Sequence, residues 1–210
     1  MNIFDAITTL VPVKKFDPKL PVDDKMIGVI LHMATNAESA GNMQAWEFIV
    51  VKDEKIKKQL AEAALKQMHI AQAPVVIVVL ADLRKASLKY QERGEILYAI
   101  QDTASAITII RLIANVLGLG SDWIRAMDEE KVKDILGLTN GARVVGIIPI
   151  GYPLEKPEKE KRIPYENLTW VDRYKEKSMT SYVFQPGTSE EGFKPMLPEV
   201  VEKLRKLRKK

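Results

Sequence analysis

Cysteine is absent from the 210 residues, and histidine occurs only twice. The first absence excludes disulfides, a thiolate nucleophile, iron–sulfur clusters and cysteine zinc sites, and the second leaves little for other metal chemistry. Aromatic residues amount to 7%. No unbroken apolar run reaches the roughly 20 residues of a membrane span. Met1 to Leu10 contains Asp5 and no basic residue, so it does not read as a secretory signal. The sequence therefore points to the cytoplasm and to no membrane partner. With 46% hydrophobic and 29% charged residues the composition is that of an ordinary soluble chain, which excludes collagen and wholesale disorder. The length suits one domain with a substantial core.

The net charge is +4, but Lys203 to Lys210 alone carries six positive charges, and removing those six leaves −2. The body of the chain is close to neutral. A basic groove along it is not expected, and neither is a nucleic-acid partner.

Hydrophobic spacing predicts interleaved helices and strands. A short helix spans Asn2 to Leu10, and Asp23 and Asp24 open an amphipathic helix with Met26, Ile27, Ile30, Leu31 and Ala34 on one face. The small, polar stretch Asn36 to Asn42 reads as a loop before a strand at Trp46–Val51. Asp53 caps a charged helix to about Gln67. Val75 to Leu80 is an unbroken, β-branched strand suited to burial on both faces, and so to a central position. A polar connection then leads to Ala104–Leu117, a helix apolar on nearly every side, which requires a core or a partner surface. Asp128 to Leu138 is amphipathic, Arg143 to Ile150 is a further apolar strand, and the Pro-rich, charge-alternating remainder from Pro153 is too poor in apolar clusters to form its own core. This order predicts an α/β or α+β domain.

Ser39-Ala40-Gly41-Asn42-Met43-Gln44 offers amides, a hydroxyl and small residues between a helix and a strand, suited either to a planar, heteroatom-rich ligand or to an ordinary polar loop. His32 and His69 lie far apart without ligand spacing, and Asp128, Glu129 and Glu130 complement the dipole of the helix they open. Arg125 either attracts an anion or faces solvent.

The stretch Ala37-Glu38-Ser39-Ala40-Gly41-Asn42-Met43-Gln44-Ala45-Trp46-Glu47-Phe48-Ile49-Val50-Val51 resembles the signature of the nitroreductase family of FMN-dependent oxidoreductases. Gly118-Leu119-Gly120-Ser121-Asp122-Trp123-Ile124 and Ile148-Pro149-Ile150-Gly151-Tyr152-Pro153 resemble two further motifs of that family, in order. The resemblance covers roughly residues 1 to 165. It implies an α+β fold, a nitroreductase-like α/β/α sandwich with a mainly antiparallel central sheet, a long central helix and an extended C-terminal tail. It also implies a homodimer with that helix at the interface and FMN between protomers. Residues 1–170 would form the FMN-binding domain and 171–210 an extension that wraps the dimer and ends in a basic helix.

By the same resemblance, Ser39, Ala40, Asn42 and Gln44 surround the flavin from one protomer, and Gln67 contacts its pyrimidine edge. Ile124, Arg125 and Ala126 lie along the isoalloxazine, with an N–H reaching N5, and Arg162 holds the phosphate. Pro12, Val13 and Lys14 occupy the first motif. There the family usually has Arg-Arg-Ser-x-Arg and this chain has Leu10-Val11-Pro12-Val13-Lys14, so phosphate binding must lean on Lys14, Lys15 or Arg162. Lys14 is also the candidate cation for the N1 and O2 edge, the alternative being a surface lysine paired with Asp17. Glu38 and Ala45 replace two customary prolines.

The implied activity is ping-pong hydride exchange in which NAD(P)H reduces FMN and a nitroaromatic, quinone or related small acceptor reoxidises it, chemistry that needs neither cysteine nor metal. The alternatives are a flavin store or sensor without turnover and a reductive dehalogenase on the same fold. The basic helix at Glu199–Lys210 is read as packing on the partner subunit, with anionic lipid or RNA as other surfaces it could meet.

Overall fold

The computed structural model describes residues 1–155 and 157–176. The chain divides into two compact units, Met1–Lys159 and Glu160–Lys210. The expected C-terminal helix and most of the expected wrapping segment lie outside the described residues.

The first unit opens with α1 (Ile3–Thr8) and is built on a four-stranded sheet of β1 (Trp46–Val51), β2 (Val75–Asp82), β3 (Gly120–Ser121) and β4 (Ala142–Gly151), in the order β1-β2-β4-β3. Every strand pair is antiparallel. Because side chains alternate along a strand, the unbroken apolar run of β2 feeds two cores at once. Val75, Ile77 and Val79 pack with Ile148 and Ile150 under α2 (Asp24–Ala34) and α6 (Ala99–Val116). Val76, Val78 and Leu80 face α3 (Glu54–Ala63), α4 (His69–Gln72) and α7 (Glu129–Leu136) through Leu60, Ile70 and Val132. The result is the expected α/β/α sandwich with β2 internal. Each fully buried Val or Ile contributes about 1.5–3 kcal/mol, so β2 is the main stabilising strand.

Three elements differ from the sequence reading, the first being α6, which begins at Ala99 and not at Ala104. The helix opened by Asp53 ends at Ala63, not near Gln67, because Leu65 (φ 57°) and Lys66 (φ 61°) turn left-handed. Its last carbonyls find tertiary partners: the Asp128 N–H donates to Ala63 (2.9 Å) and the Gln67 amide to Ala64 (2.9 Å). The expected polar connection after β2 is also a helix, α5 (Leu83–Arg93), capped by the Asp82 carboxylate on the Lys85 N–H. It was hidden because Ala86 is its only buried residue, so it lacks an apolar stripe. By length and composition Leu83–Val116 suffices to cross a membrane, with mean hydropathy 1.4 in an 18-residue window. The stretch is not one rod, however. Gln91 breaks α5 (φ 49°, ψ −139°), and the π-turn Gly94–Tyr98 folds back with Gly94 against the Ala86 carbonyl. The face of α6 carrying Ile107, Ile110 and Ala114 is buried on the sheet.

Candidate functional site

The expected site residues fall into two groups. The first lines the edge of β4 away from β2, where β3 pairs. Ser121 pairs with Ile150, and farther along Ile124 and Ile147 exchange both backbone hydrogen bonds at 3.0 Å. Outside this strand runs the N-terminal segment: Pro12 bridges Ser121, and the Val13 N–H donates to the Ser121 carbonyl at 3.1 Å. Val13 is buried against Gly120, where a Cβ would come within 2.6–2.8 Å of its side chain. Lys14 next to it is exposed and bonds no described residue. The alternative pairing with Asp17 is not formed, and the Asp17 carboxylate accepts the Lys19 N–H instead. Lys15 is paired with Glu155 at 3.0 Å.

Beyond Ile124, the backbone N–H groups of Arg125 and Ala126 donate to no described residue. Gln67 reaches this point from the left-handed turn after α3. Its Nε2 donates to the carbonyls of Ala64 (2.9 Å) and Ala126 (3.3 Å), which leaves Oε1 as its available group. The exposed Arg125 guanidinium lies 4.8 Å from the Trp123 ring centroid, so of the two readings of Arg125 the structure shows an outward cation stacked on an aromatic face. Beside it opens a pocket of about 390 Å³ lined by Ile100, Ala104, Trp123, Arg143 and Val145 among others. Of the expected flavin-contacting residues, this pocket includes Arg125 alone.

Behind the edge sits a pair not singled out from the sequence. His69 Nε2 is 3.0 Å from Asp122 Oδ2, with side chains 10% and 12% exposed. Burial alone would push the Asp122 carboxyl up, but the hydrogen bonds from His69 and from the Trp123 N–H, with the charges of His69 and Arg111, together hold it below the ordinary carboxylate range. Arg111 is pushed the other way. Burial lowers its pKa, Asp122 opposes the shift, and Arg125 adds to it; its buried Nε has no partner among the described residues.

The second group is the loop before β1. Gly41 (φ 54°), Asn42 (φ 59°) and Gln44 (φ 50°) all take left-handed conformations. The loop is held by its own polar groups: the Gln44 N–H donates to Ser39 Oγ (3.2 Å), and Gln44 Nε2 to Asn42 Oδ1 (3.1 Å). The Ala40 N–H donates to both carboxylate oxygens of Asp102 at 3.1 Å. Burial raises the Asp102 pKa, the Ala40 N–H opposes this, and Glu38 adds to it. From α5, Lys85 donates to the Gln44 carbonyl (3.0 Å) and Lys89 approaches that of Gly41 (3.5 Å). None of these supports carried a signal in the sequence: Asp102, Lys85 and Lys89 all lie in the stretch read as a polar connection before Ala104.

The two groups do not meet in one chain. Asp102 holds the loop, whereas Ile100 and Ala104 face the pocket beside Arg125; two residues along a helix is a turn of about 200°, so these are opposite faces of α6. The N-terminal segment is tied to the far end of the same helix, where Asn115 donates to Ala6 and Thr9, about 20 Å along the axis from Asp102. Arg162, the remaining expected residue, is exposed and belongs to the second compact unit.

Comparison with known proteins supplies the frame for this arrangement. A profile of the nitroreductase family matches residues 12–72 and 65–152, which include both groups. A Thermus thermophilus protein named NADH dehydrogenase is 32% identical over 177 residues, covering 71% of this chain and 86% of that protein. A Bacillus subtilis FMN reductase, named as using NAD(P)H, is 25% identical over 78% of this chain and 71% of its own length. The fold is shared with B. megaterium NfrA2, at a TM-score of 0.78 and 24% identity over 86% of this chain and 78% of that one. With the profile spanning the whole sheet and both clusters of site residues, the chain belongs to the nitroreductase family.

Proposed function

We propose that two copies of this chain form a cytoplasmic, FMN-dependent oxidoreductase that takes electrons from NAD(P)H and passes them to a small planar acceptor such as a nitroaromatic or a quinone. The observation that carries this reading is the available hydrogen-bonding set at the β4 edge: two N–H donors, of Arg125 and Ala126, beside the oriented amide of Gln67. A flat group with an acceptor nitrogen and an adjacent imide edge fits such a set. When bound, FMN supplies the two-electron redox chemistry.

The chain's own residues do the rest. The Arg125 and Ala126 N–H groups would donate to the ring, Gln67 Oε1 would accept at the pyrimidine edge, and Lys14 would place a cation there that has no described partner to compete for it. Since Lys15 is paired with Glu155, Lys14 is the cation of this segment left to hold the phosphate.

A two-fold axis across α6 completes the site. Antiparallel packing of two α6 helices brings the Asp102 end of one copy, with Ser39–Gln44, alongside the far end of the other. Apolar residues available for that contact are exposed on neighbouring surfaces: Ile3 (58%), Ile7 (56%) and Val116 (43%). A flavin store or sensor is the second reading, favoured by Leu10-Val11-Pro12 in place of the first motif's usual arginines and serine. The visible spectrum of purified protein, followed by anaerobic addition of NADH or NADPH, decides between them. Flavin absorbance that bleaches at a turnover-competent rate supports the enzyme, bound flavin that neither donor bleaches supports the store, and protein unable to bind FMN contradicts both.

A further inference from the structure

We propose that His69 and Asp122 are positioning residues: their hydrogen bond clamps residues 64–69 to the strand edge 120–126 and so fixes the sense of the Gln67 amide, holding Oε1 out to accept the N3–H of a flavin. This inference rests on the flavin reading above. The residues that meet the flavin in that reading lie on two separate segments, and their relative placement has to be maintained by something else. Gln67 follows two residues in the left-handed region, a conformation that non-glycine residues keep only when their surroundings impose it. His69, two residues later, opens α4 and is anchored to Asp122 at 3.0 Å. Asp122 is itself tied to β4, because its N–H donates to the Pro149 carbonyl at 3.3 Å, and its other carboxylate oxygen accepts the Trp123 N–H at 2.8 Å, directly before Ile124–Ala126. The pair is nearly buried, so water offers little competition for the bond.

The amide sense of Gln67 follows from its partners. Two carbonyl oxygens, of Ala64 and Ala126, can receive only from the NH₂ side, which uses both donors and turns Oε1 outward. Of the polar atoms along a flavin's pyrimidine edge, O2 and O4 accept and N3–H donates. Gln67 is thereby matched to N3 and mismatched to its two neighbours. If residues 64–69 are released from Asp122, the Ala126 contact is lost first, since at 3.3 Å it is the longer of the two. The amide can then rotate.

The test is the ratio of dissociation constants for N3-methyl-FMN and FMN, measured by flavin fluorescence on wild type, Gln67→Ala, His69→Ala, His69→Gln and Asp122→Ala. Wild type is expected to discriminate against the methylated flavin by about tenfold or more, the worth of one well-placed hydrogen bond plus a steric mismatch. Gln67→Ala and His69→Ala should lower the ratio to within about twofold of unity, while His69→Gln, which can still donate to Asp122, should keep most of it. A His69→Ala protein that loses thermal stability but retains the wild-type ratio overturns the proposal, as does a wild type that does not discriminate. If His69→Ala fails to fold, Asp122→Ala, which removes both acceptor oxygens, takes its place and should likewise bring the ratio to within about twofold of unity. Wild type that binds neither flavin overturns the flavin reading itself, a result distinct from binding without discrimination.

Discussion

Gly120→Ala tests how the N-terminal segment is seated against the site edge. A Cβ on Gly120 would lie 2.6 Å from Val13 Cγ2 and 2.8 Å from Val13 Cβ and Cγ1, whereas carbons in contact prefer about 3.5–4.0 Å. Val13 must therefore retreat by about 1 Å. It is held by its N–H bond to Ser121, so the segment moves with it and Lys14 is carried away from the edge. Overpacking of this kind costs about 1–3 kcal/mol. A loss of about 2 kcal/mol corresponds to a Tm drop of about 4–8 °C in a domain of this size. Val13→Ala alone removes two methyl groups from a buried side chain and should cost about 2 kcal/mol. In the double variant the new methyl enters the space Val13 vacates, so the combined loss should fall short of the sum by at least about 1 kcal/mol. Relief stays partial because Val13 Cβ is itself close. Urea denaturation of the four proteins gives the cycle, and FMN titration should show weaker binding by Gly120→Ala, partly restored in the double variant. Strictly additive losses, or a Gly120→Ala protein within about 0.5 kcal/mol of wild type, would refute the packing described for this edge.

Three further outcomes follow from buried polar groups. Since the folded pKa of Asp122 lies below its unfolded value, its contribution is present above the ordinary carboxyl range near about 3.9 and disappears as pH falls through the folded value. Asp122→Asn should then be less stable than wild type at about pH 5, with the gap closing below about pH 4, as read by denaturation at each pH. Asp102→Ala removes the acceptor of the Ala40 N–H, so hydrogen exchange at Ala40 should accelerate by about tenfold or more, and FMN binding should weaken without a comparable change at the β4 edge. Lys57 is 1% exposed and joins the Ala73 carbonyl (2.6 Å) to Glu54 (2.7 Å); Lys57→Ala leaves a cavity and an unpaired carbonyl and should cost about 3 kcal/mol in urea denaturation.

The elements legible in the sequence are those whose local pattern agrees with their burial. β2 reads as central because seven of its eight residues are buried and nearly all are β-branched or otherwise apolar. Asp23, Asp53 and Asp128 mark helix starts because each accepts a backbone N–H of the following turn. α5 was illegible because tertiary placement over the loop 39–44, and not an apolar face, holds it. The end of α3 was missed for a related reason, as Ala63 and Ala64 are capped by Asp128 and Gln67, partners distant or side-chain in origin. Of the expected site, the residue types came from motif resemblance, and the structure adds their grouping, one set along the β4 edge and one in the loop held by Asp102. His69 and Asp122 were invisible as a pair because 53 positions separate them.

The central claim is that each flavin site takes one group of residues from each of two copies. It is tested most directly by mixing two inactive variants, Gln67→Ala/Lys14→Glu in the β4-edge group and Asn42→Ala/Gln44→Ala in the loop group, after unfolding and joint refolding. Random reassortment under two-fold symmetry makes half of the dimers mixed, each with one intact site, so about a quarter of the wild-type bound FMN and NAD(P)H turnover should return. Recovery no greater than the average of the two parents would contradict the shared site.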